Sequence, residues 1–225
     1  MSHARAHFQR ASAAKASALV GDDSPVNCSA YELMLVKLAE DRRQLKLVHS
    51  MERKAEVKRQ VLPDYLPWVE GALQADSGRP DDVVTTVMMW SIDAGCYDTA
   101  LDIAEYVLRH NLPLPDKFTR TPATAIADQI AIAAKIARDG KQPFDARVLV
   151  YTHELTKAHD IPDAARAKLL KEIGLALAES DPAGALEHLR RAQQLYDSVG
   201  VKKDIERIER AIKNSAPPPP AGGQA

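Results

Sequence analysis

Between positions 41 and 62 the chain carries Arg42, Arg43, Lys46, Arg53, Lys54, Lys58 and Arg59 against Asp41, Glu52 and Glu56. Seven cations against three acids leave a surplus of four in a chain whose formal net charge is −1. Such a surplus on one helical stretch is the chemistry of polyanion binding. Each duplex phosphate neutralised contributes about −0.9 to the logarithmic salt slope, so a few contacts give weak binding per chain and useful binding from several chains together. The overall charge excludes a globally cationic nucleic-acid coat, and any contact must be a local patch. Arg5, Arg10 and Lys15, with no acid before Asp22, make a second basic group.

Residues for bond-making chemistry are sparse. Metal-dependent cleavage needs several carboxylates converging on Mg²⁺. The candidate pairs are Asp81 with Asp82, Asp93 with Asp98, and Asp160 with Asp163. The first pair sits where a helix N-terminus favours acids, which explains it without a metal. His153, Glu154 and His159 lack the spacing of a zinc site, and His3 and His7 have that spacing without a third ligand. No glycine-rich phosphate loop is present, so ATP hydrolysis falls to a partner. The expectation is no metal site and no cofactor, with Mg²⁺ entering only if the chain is itself a nuclease. Cys28 and Cys96 lack CxxC spacing, which argues against a zinc ribbon or a disulfide framework. No apolar leader or span appears, which predicts a protein of a reducing cytoplasm with no membrane partner.

The elements that must position these residues read as all-α, with no sheet. Residues 1–29 read as a flexible basic arm. From Ser29 to Leu62 there is neither Gly nor Pro, which predicts one helix over 30–62, on the order of 45 Å long at 1.5 Å per residue. Ser29 and Glu32 have capping-box spacing, and Pro63 ends the helix. Helical hairpins follow over 63–111 and a linker over 112–122. A second helical region covers 123–213, and a Pro-rich solvated tail covers 214–225. Thr121-Pro122 and Asp181-Pro182 put a capping side chain before proline at the first helical position. Gly95–Leu101 with Ala104, and Ile173-Gly174 with Ala185, Leu189 and Ala192, have the small-residue pattern of tetratricopeptide-like hairpins. The two patterns are out of step with a 34-residue period, so a tandem solenoid is rejected.

On the long helix, Tyr31, Leu35, Leu38, Arg42, Lys46, His49 and Arg53 fall along one line at 100° per residue. The line is apolar in its first half and basic in its second. Tyr31, Leu35 and Leu38 are therefore the expected self-association seam. Trp68, beyond Pro63 and Pro67, is expected in the core, anchoring the basic rod.

The tract YELMLVKLAEDRRQLKLVHSMERKAEVKRQVLPDYLPWVEGAL, with DDVVTTVMMWSIDAGCYDTALDIAEYVL, LPLPDKFTRTP and DPAGALEHLRRAQQLYDSVGVKKDIERIER, closely resembles the terminase small subunit (M protein) family of P2-like tailed phages. The likeness spans about residues 5 to 213. It implies a phage or prophage protein that recognises the cohesive-end site of double-stranded viral DNA and presents it to a large ATPase subunit, in the bacterial cytoplasm. It further implies homo-oligomers, rings included, and a family described as the terminase endonuclease subunit. Some relatives extend into a Lys/Arg-rich tail, whereas this chain stops in PPPPAGGQA. Two rival readings remain, an intrinsic metal-dependent endonuclease and a helical adaptor without DNA binding.

Overall fold

The computed structural model describes residues 2–18, 25–115 and 119–215. Among them lie eleven α-helices and no strand. These are α1 (His3–Ala18), α2 (Pro25–Leu47), α3 (Met51–Val61), α4 (Leu66–Ala75), α5 (Asp82–Ala94), α6 (Tyr97–Arg109), α7 (Pro122–Asp139), α8 (Ala146–Thr156), α9 (Asp163–Leu177), α10 (Pro182–Leu195) and α11 (Lys202–Ser215). The all-α expectation holds. None of these helices is long and apolar enough to cross a membrane. Residues 116–118 of the expected linker and 216–225 of the expected tail lie outside the described residues.

The single long helix is corrected to two. Ser50 adopts an extended backbone (φ −67°, ψ 128°), and its hydroxyl accepts from the Arg53 amide at 3.2 Å. A serine that caps a new helix competes with continuation of the old one. The turn at Val48–Ser50 separates α2 from α3, so the line from Arg42 through His49 to Arg53 does not exist as one face. At the other end α2 begins at Pro25, ahead of the Ser29 cap expected from sequence.

The arm is also corrected: its residues 3–18 form α1, laid against α4. A Cβ on Gly71 would stand 2.3 Å from the Arg10 carbonyl oxygen and 2.9 Å from the Ala13 Cβ, so glycine is what allows the two backbones to touch. Ala13 is fully buried, Gln9 donates from Nε2 to the Met34 sulfur at 3.6 Å, and Arg10 pairs with Glu70 at 3.2 Å. Arg5 and Lys15 point to solvent from this docked helix.

α5 is the central element, buried from Val83 to Ile92. Its start is tied to α2 and α4. The Asp81 carboxylate accepts from the Val83 and Val84 amides at 2.8 and 3.1 Å and from Trp68 Nε1 at 2.9 Å. Tyr31 stacks on Trp68, with centroids 5.8 Å apart, and its hydroxyl accepts from the Asp82 amide. Burial, then the Asp81 charge, pushes the Tyr31 phenol up to about 12. At the far end of α5, Gly95 takes φ +77°, a left-handed stop that favours glycine.

Beyond Pro122, Thr121 and Asp181 cap α7 and α10 as expected. The α9–α10 hairpin is closed by Gly174, where a Cβ would stand 2.6 Å from Leu189 Cγ. The buried core includes residues on both sides of the 112–122 segment. In α8, the His153 ring meets His188 of α10 edge-on at 6.1 Å, and its Nδ1 is buried without a partner. Burial first, then His188, holds the His153 pKa below its usual 6.5; Arg166 and Lys157 add to this and Glu154 opposes it. The unfolded chain therefore takes up this proton more readily, and stability falls as pH drops below 6.5. His153→Leu should flatten the dependence of melting temperature on pH between about pH 7.5 and 5.5. An unaltered pH profile in thermal melts would contradict this.

Candidate nucleic-acid interface

The turn between α2 and α3 lets both helices face α5 and leaves a cleft of about 320 Å³ between the three. Its rim is cationic: Arg42 and Lys46 from α2, Lys54 and Lys58 from α3. Its floor comes from Leu45 and from Thr86, Met89 and Trp90 of α5, with Asp93 as the lone acid. Arg42 is fixed in place, donating from Nη2 to Thr86 Oγ1 at 2.6 Å. Lys58 is neutralised by Asp93 at 2.5 Å. Lys46 and Lys54 have no ion pair or hydrogen bond from their ammonium groups among the described residues. Three positive charges beside an apolar floor thus lack an acid. Low-dielectric walls focus such a field outward, and a fixed guanidinium presents a planar fork to a phosphate.

The remaining expected contacts lie elsewhere. Arg43 pairs with Glu40 at 2.5 Å and Arg53 with Glu56 at 2.6 Å, both on the open surface. Arg59 donates to the Ala94 carbonyl at 2.7 Å and so caps the end of α5. Arg10 is taken up by Glu70. Four of the seven helix cations therefore converge, and the helix break decides which four. Lys54 faces the cleft where the unbroken-helix reading favoured Arg53.

The expected seam is corrected as well. Leu38 is 1% exposed, Tyr31 packs on Trp68, and Leu35 is half-buried against the core. These residues hold α2 to its own chain. Among the described residues, the large apolar side chains that α2 leaves in solvent are Leu33, Val36 and Leu47. The hydrophobic period located a face correctly but did not reveal that α4 and α5 already cover it.

Among the described residues no three His, Cys, Asp or Glu side chains are grouped to hold a metal ion. Asp81 serves as the α5 cap, with burial pushing its carboxyl up against the Trp68 and amide donors that pull it down. Sequence reasoning missed one cluster, in which a bond joins residues 24 apart in the chain. Lys37 Nζ lies 2.9 Å from Asp41 and 3.2 Å from Asp64, and the Tyr65 hydroxyl donates to Asp41 at 2.6 Å. Lysine occupies the space between the two carboxylates, so the cluster ties α2 to the turn before α4. Burial, then the bond to Asp41, raises the Tyr65 pKa.

The family model for the phage small terminase subunit matches residues 35–164. That span holds α3 to α8 and all four cleft cations. Across 221 residues the chain is 45% identical to the terminase, endonuclease subunit, of Escherichia phage P2, covering 97% of this chain and 89% of that protein. Across 196 residues it is 26% identical to the probable terminase, endonuclease subunit, of Haemophilus phage HP1 (strain HP1c1), covering 79% and 68% respectively. No solved structure matches.

Proposed function

The chain belongs to the phage small terminase subunit family, and we propose that it grips viral DNA at the cohesive-end site and presents it to a large ATPase subunit for cutting and packaging in the host cytoplasm. The observation that carries this reading is the convergence of Arg42, Lys46 and Lys54, unmatched by acids, on one cleft. Phosphates of double-stranded DNA are the anions that a small terminase subunit is built to meet. Competition binding tests the recognition step. A labelled cohesive-end duplex should be displaced poorly by an unrelated duplex of equal length, and equal displacement would contradict recognition.

Three phosphate contacts per chain give weak binding, and self-association multiplies it. The exposed Leu33 and Val36 on α2 are the proposed seam in place of Tyr31, Leu35 and Leu38. Leu33→Glu with Val36→Glu should reduce the solution mass to that of one chain by light scattering, with helicity unchanged. A multimer that survives both substitutions rules the seam out.

The names of the two relatives favour a second reading, a nuclease within this chain. Against it stand the lysine-filled Asp41–Asp64 pair and the capping role of Asp81. Purified protein with cohesive-end DNA and Mg²⁺, without the large subunit, should leave the DNA intact. Specific nicking that Asp41→Asn abolishes would establish the nuclease.

A further inference from the structure

We propose that the seam on α2 docks into a recess between α7 and α9 of a neighbouring copy, so that copies join head to tail. This rests on the self-association reading above and names what the seam meets. The recess, about 220 Å³, lies between α7, α9 and the 3-10 turn at Asp197–Val199, floored by Ala131 and Val199. That volume accepts a leucine side chain. Of the four large apolar side chains exposed beyond Pro122 among the described residues, three cluster here. Ile132 and Ile136 lie one turn apart on α7 at 40% and 67% exposure, and Tyr196 lines the recess at 43%. An apolar cluster of this kind on a soluble domain marks a contact surface.

Charge then selects the occupant. Two carboxylates of this region are turned inward: Glu172 and Asp128 are each 5% exposed, Glu172 is held by Arg138 at 2.9 and 3.1 Å, and Asp128 is held by Arg120 with Lys168 3.7 Å away. Two others, Asp139 and Asp197, are exposed and paired with Lys135 and Lys202. The ammonium groups are turned outward, with Lys135 and Lys168 at 61% and 55% exposure. Lys135 shares its charge with the exposed Asp139. Lys171 spends its protons on the Val199 and Gly200 carbonyls and not on an acid. The outward surface is thus apolar and lysine-rich, with its two exposed carboxylates each matched by a lysine. The α2 face is its complement. Leu33 and Val36 stand 68% and 65% exposed, Glu40 lies one turn beyond Val36, and Glu32 one turn before it. Arg43 is paired with Glu40, and Lys37, one turn beyond Leu33, is taken up by Asp41 and Asp64. Leu33 fits the recess, Val36 meets Ile136, and the glutamates approach Lys135 and Lys168.

The two faces lie on different parts of the chain, so the contact is heterologous. Each copy keeps one free face of each kind, and assembly propagates until it closes. This predicts an outcome that an α2-to-α2 pairing cannot produce. Sedimentation velocity on wild type should show species larger than a dimer. A recess variant (Lys135→Glu with Ile136→Glu) and a seam variant (Leu33→Glu with Val36→Glu) should each run as monomers. Mixed one to one, they should form a dimer and nothing larger, because one intact seam meets one intact recess. That recovery also shows that both variants are folded. A recess variant of wild-type mass would leave the seam reading standing and overturn the head-to-tail contact. So would a mixture that stays monomeric. A monomeric wild type removes both.

Discussion

Replacing Arg42, Lys46 and Lys54 together with glutamine is expected to weaken DNA binding about a hundredfold near 0.15 M salt and to flatten the logarithmic salt slope by about 2.7. The magnitude follows from counterion release. Each cation on a duplex phosphate contributes about 0.9 to the slope, and at this salt that amounts to about fivefold in affinity. Lys58 is left out of the set because its partner Asp93 would be stranded, which mixes a stability effect with a binding one. Arg42→Gln also removes the donor to the buried Thr86 hydroxyl, at a cost of about 1 kcal/mol, so circular dichroism and a thermal melt accompany the titration. Arg43→Gln with Arg53→Gln is the matched control. Both side chains are paired on the open surface, and their loss should move the slope far less. Equal slopes for wild type and the cleft variant, both folded, would take the cleft out of the DNA path.

Trp68→Ala is expected to destabilise the fold by about 3–5 kcal/mol, lowering the melting temperature by about 6–20 °C. Trp68 is 2% exposed, stacks on Tyr31 and donates to the carboxylate that caps α5. One substitution opens a cavity, frees α2 from α4 and takes a donor from a buried acid. Trp68→Phe separates these effects. It keeps most of the ring and loses the N–H, which should cost about 1–3 kcal/mol. DNA affinity of the folded Trp68→Phe protein should match wild type, since the indole faces the core and not the cleft. A selective loss of DNA affinity in that variant would assign the tryptophan to stacking on nucleic acid.

Much of the helical architecture was legible in local chemistry. Thr121-Pro122 and Asp181-Pro182 announce their helix starts because a capping oxygen and a proline at the first helical position act within one turn. Gly174 opposite Leu189 was legible as a close helix approach for a similar reason, since small residues at helical spacing permit little else. The α2–α3 break was not legible. Ser50 sits in a run without Gly or Pro, and its choice of capping over continuation depends on α3 gaining contact with α5, a nonlocal term. That one turn shifts the register of everything after it, which is why Lys54 and not Arg53 joins the cleft. Periodicity identified the apolar line of Tyr31, Leu35 and Leu38 but carried no information on its partner. The stack on Trp68 shows the partner to be internal. The Asp41–Tyr65 bond, formed between α2 and the turn before α4, whose mutual placement the sequence does not encode locally, was out of reach for the same reason.

The central claim is that phosphates occupy the space between α2, α3 and α5, and lysine protection tests it most directly. The protein is acetylated briefly with and without saturating cohesive-end duplex, and modification at each lysine is read by mass spectrometry. The account predicts that Lys46 and Lys54 lose most of their reactivity when DNA is bound, while Lys15 on α1 and Lys203 on α11, both exposed and away from the cleft, react as before. Unchanged modification of Lys46 and Lys54 on fully DNA-bound protein would contradict it.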